Sequence, residues 1–161
     1  MSSIPRCLVA LLAVSLAACN SDPVSSDDGL PPDPGEAGRA TLEGVDADRD
    51  GLRDDVQRHI FLEHDDDAVR RALVQVAEPL IRSYTVAGGD EQVLRFTEEL
   101  NRGVDCVHSR LDTAEAARAV SDLSSVVLNT PERIRASAAA DVAVSGNTFV
   151  LPDDLSESCD A

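Results

Sequence analysis

Apolar residues recur every three or four positions along most of the chain beyond residue 50, which is the spacing of one face of an α-helix. The pattern divides into five stretches, which polar or turn-forming residues separate. The predicted core faces, in chain order, are Leu52, Val56 and Ile60; Val69, Leu73, Val76, Leu80 and Tyr84; Val93, Phe96, Leu100, Val104, Val107 and Leu111; Ala116, Val120, Leu123 and Val127; and Ile134, Ala138 and Val142. We therefore predict an all-α fold, a small bundle of about five helices.

Polar residues between these stretches predict where helices begin. The run of aspartates at 65–67 offers an N-cap for the second helix, and Asp112 or Thr113 offers one for the fourth. The sequence Thr-Pro-Glu at 130–132 combines an N-cap, a first-turn proline and a first-turn acid, so it predicts the start of the fifth helix. Pro79 should kink or interrupt the second helix, because it removes an amide hydrogen and crowds the preceding turn.

The first 19 residues have the pattern of an export signal. Arg6 precedes an apolar run from 8 to 18 that is too short to span a bilayer but has the length of a signal-peptide core. The run ends in Leu-Ala-Ala-Cys at 16–19, which resembles the lipobox of bacterial lipoproteins. The resemblance implies that residues 1–18 are removed and that Cys19 carries the lipid; the alternative is an ordinary signal peptide that ends in cysteine. Asn20 favours the outer membrane over the inner, by the same resemblance.

Residues 20–38 contain four prolines, three glycines and five acids, with few apolar side chains. This composition is typical of a disordered spacer, so we expect a lipidated tether over 19–38. The folded domain is then expected over 39–161, beginning near Arg39. A lipid anchor of several acyl chains would hold the protein at a membrane without a transmembrane helix.

The charge balance narrows the classes of partner. The 161 residues have a net charge of −16, and all 14 basic residues are arginine. Such an acidic surface argues against nucleic acid as a partner and suits cations or a basic envelope protein, although solubility alone also explains it. The chain contains no lysine, which excludes catalytic Ser–Lys dyads, lysine Schiff bases and P-loops. The Gly-x-Ser-x-Gly motif of a nucleophile elbow does not occur either. The sequence does not indicate an oligomeric state.

Two cysteines remain after the signal and lipidation site are set aside. Cys106 and Cys159 form an even pair in an exported, oxidising context, so we predict a disulfide. It would hold an irregular C-terminal tail against the third helix. A metal pair is the weaker alternative because no further thiols lie nearby, and a redox pair would read Cys-x-x-Cys.

The segment Asp-Ala-Asp-Arg-Asp-Gly-Leu-Arg-Asp at 46–54 has the layout of a calcium loop of the EF-hand kind. Calcium takes six to eight oxygen ligands, and alternating residues of a tight loop can turn their side chains towards one centre. Glycine at loop position 6 permits the sharp turn that a Cβ would hinder. The candidate calcium ligands are the side chains of Asp46, Asp48, Asp50 and Asp54, the backbone carbonyl of Leu52 and the side chain of Gln57.

The loop departs from a paired EF-hand at two positions. Gln57 occupies position 12, where a bidentate glutamate is usual, so we expect weaker binding or a water ligand. Arg53 occupies position 8, where paired loops have an aliphatic residue, and no second loop of this pattern follows. The segment resembles the lone loops of dockerins and thrombospondin type 3 repeats. The alternative is a solvated turn that caps the next helix, since aspartate favours turns and N-caps.

A wider resemblance links Gly-Val-Asp at 44–46, the stretch 53–60, Asn-Thr-Pro-Glu-Arg at 129–133, Ser-Gly at 145–146 and Cys159. Together they resemble a set of uncharacterised exported proteins of Proteobacteria, which implies one domain and no assigned activity. We expect a lipid-anchored binding or interaction module with one structural calcium ion, on the periplasmic face of the outer membrane. A calcium-dependent envelope hydrolase and a calcium sensor are the other hypotheses; the first needs two facing carboxyl groups with raised pKa.

Overall fold

The computed structural model describes residues 29–86, 89–150 and 152–160. The helices are α1, Asp54–Glu63; α2, Asp67–Thr85; α3, Asp90–Arg110; α4, Thr113–Val127; and α5, Pro131–Ala143. Short 3-10 turns cover Ala37–Arg39 and Leu155–Ser158, and no strand occurs within the described ranges. The predicted all-α bundle of about five helices is confirmed. The predicted leader, 1–18, and Cys19 lie outside the described residues.

The predicted caps account for three of the helix starts. Asp66 accepts hydrogen bonds from the backbone N–H groups at the start of α2, at 2.7 and 3.1 Å. Asp112 does the same for α4, at 2.9 and 2.8 Å. Thr130 Oγ1 accepts from Arg133 N at 3.2 Å and caps α5. Each cap satisfies amide groups that the first helical turn leaves unpaired.

One core joins the first four helices. The predicted faces of α1, α2 and α4 are buried or packed against it, and α3 adds Val107 and the half-buried Leu100, Val104 and Leu111. Val93 and Phe96, which were also predicted for the α3 core face, lie outside this cluster, although Phe96 is buried. No helix in the described parts of the chain is long and apolar enough to cross a membrane. The core consists mainly of leucine, valine and alanine, and most of these residues recur at the helical spacing that the sequence shows.

The helix α2 runs continuously through Pro79, so the expected interruption does not occur. Proline cannot donate to the carbonyl of Gln75, four residues earlier. At that turn α3 approaches very closely: a Cβ built on Gly103 would lie 2.6 Å from the Gln75 carbonyl oxygen. Close packing of α3 on the altered turn is compatible with an unbroken helix.

The fifth helix packs on a different face from the predicted one. Ile134 and Val142 are 55% and 75% exposed, whereas Arg133 and Ser137 are buried. The prediction that Ile134, Ala138 and Val142 form a core face is therefore wrong. The physical reason is that Arg133 hydrogen-bonds to backbone carbonyls inside the fold. This orients α5 with Arg133 inward and its apolar residues towards solvent.

Part of the expected spacer lies against the helices. Pro31 and Gly38 are buried, and their carbonyl oxygens accept hydrogen bonds from Arg58 at 2.9 Å and Arg133 at 2.7 Å. Such contacts differ from the disordered spacer expected up to residue 38. Composition alone missed them, because the stabilising groups are arginines from distant parts of the chain rather than apolar side chains of the segment.

The predicted disulfide joins Cys106 of α3 to Cys159, with 4.8 Å between the Cα atoms. Gln75 of α2 adds two hydrogen bonds to the same tail: Nε2 donates to Ser158 O at 2.7 Å, and Oε1 accepts from Asp160 N at 3.1 Å. The C-terminal tail is therefore bonded to both α2 and α3.

Candidate metal centre

The loop at residues 45–54 is closed by its own backbone. Asp54 N donates to Val45 O at 2.9 Å, which joins the two ends immediately before α1. Arg49 and Gly51 have φ angles of 61° and 95°, in the left-handed region. These two residues reverse the chain direction, and glycine at 51 makes the second reversal without steric cost.

Three of the predicted ligands converge inside this loop. Asp46, Asp48 and Asp50 each offer a carboxylate oxygen, and these oxygens lie within 4.8 Å of one another. The separation allows a single cation to contact all three. Hydrogen bonds hold the side chains inward: Gly51 N donates to Asp46 Oδ2 at 3.1 Å, and Leu52 N donates to Asp50 Oδ1 at 2.8 Å.

Asp54 lies at the base of the loop and is 1% exposed. Its Oδ1 accepts a hydrogen bond from Ala47 N at 2.9 Å. Burial raises the pKa of the Asp54 carboxyl, and the neighbouring charges of Asp48, Asp46 and Asp50 raise it further, while the bond from Ala47 opposes the shift. The residue thus adds a fourth acidic group to the base of the loop.

The remaining predicted ligands come from the loop exit and from α1. The Leu52 side chain is in the core at 3% exposure, which leaves its backbone carbonyl as the group available to a ligand. Gln57 turns back over the loop, and its Nε2 donates to Asp50 Oδ2 at 3.0 Å. The amide at position 12 therefore reaches the carboxylate cluster.

Two oxygen atoms of this site are buried and have no hydrogen-bond partner: Asp46 Oδ1 and Gln57 Oε1. A buried acceptor without a donor carries an unfavourable desolvation cost of about 1–3 kcal/mol. A cation bonded to both would remove that cost and neutralise the repulsion among the aspartates. The donor set, all oxygen and mostly anionic, is the chemistry that calcium prefers.

A network of two buried arginines lies directly behind the loop, and the sequence did not predict it. Arg53 is 2% exposed, and its NH1 and NH2 groups donate to the carbonyls of Val127 and Val126 at the end of α4, at 2.7 and 3.2 Å. It also forms an ion pair with Asp55 at 2.7 Å and donates to Tyr84 Oη at 3.1 Å. The C-terminal carbonyls of α4, which carry partial negative charge, suit a cation at this position.

Arg133 is fully buried and joins the N-terminal segment to this network. Its guanidinium donates to Gly38 O, Thr41 O and Leu42 O at 2.7, 2.9 and 3.0 Å. It also donates to Asn129 Oδ1 at 2.5 Å, and Asn129 Nδ2 donates to Asp55 Oδ2 at 3.1 Å. Burial lowers the pKa of Arg133, and the nearby Arg53 charge lowers it further. One connected set of bonds thus runs from residue 38 to the loop exit.

Gly44 separates the two guanidinium groups. Its φ angle is 74°, and a Cβ there would lie 2.9 Å from Arg133 Nη2 and 3.0 Å from Arg53 Cδ. Glycine is therefore required by both backbone conformation and space. The sequence shows Arg53 at loop position 8 and Arg133 three residues after the Thr130 cap. Nothing in their spacing along the chain indicates that the two side chains meet.

The structure gives no support to the hydrolase hypothesis among the described residues. That hypothesis requires two carboxyl groups that face each other across a cleft. Asp54, whose pKa is raised, lies at the base of the acidic loop instead. Comparisons with known protein families, curated proteins and solved structures found no match to this chain.

Proposed function

We propose that this protein is a lipid-anchored, exported calcium-binding protein in which one calcium ion is structural. The observation that carries the proposal is the pair of buried acceptors, Asp46 Oδ1 and Gln57 Oε1, at the carboxylate cluster. A cation supplies what both oxygens lack. The acidic cluster alone would be weaker support, since aspartates also occur in solvated turns.

Calcium suits this loop better than magnesium or zinc. Calcium accepts six to eight oxygens in flexible geometry, whereas magnesium requires near-ideal octahedral geometry and retains waters. Zinc favours nitrogen and sulfur ligands, which the candidate set does not contain. Three aspartates, the Leu52 carbonyl and Gln57, with Asp54 directly or through water, make an oxygen-rich set of adjustable size.

The surroundings of the loop support a structural role. Asp54 N is bonded to Val45, and Arg53 is bonded to α4, so both loop ends are tied to the folded domain. Calcium would lower the repulsion among four carboxylates at the point where the N-terminal segment joins α1. A sensor requires two distinct conformations with different calcium affinity, and the bonds at the loop base oppose a large movement.

The membrane location rests on the lipobox resemblance at 16–19. Residues 20–28 separate Cys19 from the described part of the chain, and nine residues span at most about 30 Å. An acyl anchor at Cys19 would therefore keep the domain within that distance of the bilayer. We propose the periplasmic face of the outer membrane as the location, with a cationic or basic envelope protein as partner.

Thermal unfolding in calcium and in chelator tests the metal. At a calcium concentration 100 times the Kd, the folded state gains about 2.7 kcal/mol, which raises Tm by roughly 10 °C for a domain of this size. Asp48→Asn and Asp50→Asn should reduce the rise, while the exposed Asp141→Asn of α5 should preserve it. Identical melting curves in calcium and chelator would remove the calcium proposal.

Detergent phase partitioning of the expressed full chain tests the anchor independently. The natural protein should enter the detergent phase, and Cys19→Ser should remain in the aqueous phase. Equal partitioning of both forms would contradict lipidation at Cys19 without affecting the calcium proposal.

A further inference from the structure

A groove of about 510 Å³ lies along α2, beside the disulfide and the C-terminal tail. Apolar groups line the groove, including Val74, Ala72 and the bridge between Cys106 and Cys159. Its volume is within the range of small-ligand sites. The groove shares no residue with the metal loop.

One end of the groove carries two arginines that have no ion-pair partner. Arg71 of α2 and Arg110 of α3 line this end, and the described chain provides neither of them with a salt bridge or a side-chain hydrogen bond. Arg70, by contrast, is held by Asp67 at 3.1 Å and by the carbonyls of Phe61 and His64. Asp67 also lines the groove, but it pairs with Arg70, so the guanidinium groups of Arg71 and Arg110 can bind an anionic group such as a carboxylate.

The same two arginines lie near the Asp66 cap. Hydrogen bonds from Val69 N and Ala68 N lower the pKa of Asp66, and the charges of Arg71 and Arg110 contribute to the shift. The Asp66 carboxylate is occupied by the amides that it caps, through Oδ1. Neither guanidinium group is hydrogen-bonded to Asp66, whose bonds within the described residues are those from Ala68 N and Val69 N, so both can bind an added anion through their own N–H donors.

The other end of the groove carries a free acid. Glu78 lines this end, and its side chain has no ion pair or hydrogen bond within the described ranges. The second acid there, Asp160, pairs with Arg102 at 3.1 Å. Arg82 and Arg102 line the adjoining cavity beside Glu78, but they pair with Glu99 and Asp160 at 2.8 and 3.1 Å. Glu78 is therefore the acid at this end that can accept a cationic group of a ligand, such as a terminal amine.

The spacing along α2 sets the length of the ligand. Arg71 and Glu78 are seven residues apart, so they lie on one face and about 10 Å apart along the axis. An extended peptide of three residues has about that length, at 3.3–3.6 Å per residue. From this bipolar groove we propose that the protein binds short apolar peptides with free termini, carboxylate towards Arg71 and Arg110 and amine towards Glu78.

Binding of trileucine to the full-length protein, measured by calorimetry and by chemical shifts of α2 amides, tests the proposal. Trileucine should bind saturably, whereas trileucine amide and N-acetyl-trileucine should each bind about three- to tenfold more weakly, the scale of one charged contact. No saturable binding at millimolar peptide, or equal binding of all three compounds, would overturn it.

Variants at the two ends make the test specific. Arg71→Gln should reduce, and Arg71→Gln with Arg110→Gln should remove, the preference for a free carboxylate while retaining the preference for a free amine. Glu78→Gln should remove the preference for a free amine and retain that for a free carboxylate. Arg118→Gln and Glu98→Gln are exposed substitutions outside the groove and should leave all preferences unchanged. Loss of both preferences in the control variants, with Tm unchanged, would place the peptide elsewhere and refute the groove.

Discussion

Replacing Arg133 with methionine should destabilise the protein strongly, because it removes the centre of the buried network. Arg133 is fully buried and donates to three backbone carbonyls between residues 38 and 42 and to Asn129. A buried acceptor left without its donor costs about 1–3 kcal/mol, so the loss of these four bonds together should cost at least about 3 kcal/mol. That is a large part of the 5–15 kcal/mol that a typical domain has in total.

Urea unfolding of Arg133→Met measures this free energy, and hydrogen exchange locates the effect. Amide protection should fall first in the segment that Arg133 bonds, before it falls in α2 or α3. Arg135→Met is the matched control: it lies two residues away on α5, is exposed and pairs only with the exposed Glu132 and its own helix. It should cost less than about 0.5 kcal/mol. A difference below 1 kcal/mol between the two variants would refute the reasoning.

Three further outcomes follow from individual contacts. Gly103→Ala should lower stability by about 1–3 kcal/mol in urea unfolding despite the better helix propensity of alanine, because its Cβ meets the backbone of α2 at 2.6 Å; an unchanged midpoint would contradict this. Reducing the Cys106–Cys159 disulfide should cost about 4 kcal/mol and expose residues 152–160 to protease; resistance to cleavage would show that Gln75 and Arg102 suffice. Burial raises the pKa of Tyr84, so the unfolded chain ionises first and stability should fall as the pH rises above about 10; Tyr84→Phe should flatten that slope in unfolding measured against pH.

The sequence correctly predicted elements whose cause is local. The apolar period of α2 and the caps at Asp66, Asp112 and Thr130 act within a few residues, so they can be seen without a partner. The carboxylate cluster of Asp46, Asp48 and Asp50 was also predicted, because alternation and a glycine define such a loop within a single turn of chain.

The failures have a common physical cause. The core face of α5 was assigned to its apolar residues, but Arg133 has polar partners from residues 38–42, more than 90 positions away in the chain. Composition also gave no sign that Pro31 O and Gly38 O, in the expected tether over 19–38, accept hydrogen bonds from Arg58 and Arg133. A buried arginine can stabilise a polar segment that has few apolar side chains of its own.

Composition and periodicity by themselves determined the helical class, the starts of α2, α4 and α5, the cysteine pair and the acidic loop. Each of these depends on spacing within one helix or loop, or on a simple count of residues. Only the tertiary structure decided that Arg53 and Arg133 meet around Gly44 and connect the loop to the N-terminal segment. It alone also brought Arg71 and Arg110 to one end of a groove and Glu78 to the other. Contacts between residues far apart in the chain depend on how the helices pack, and the pattern of residues along the sequence does not specify that packing.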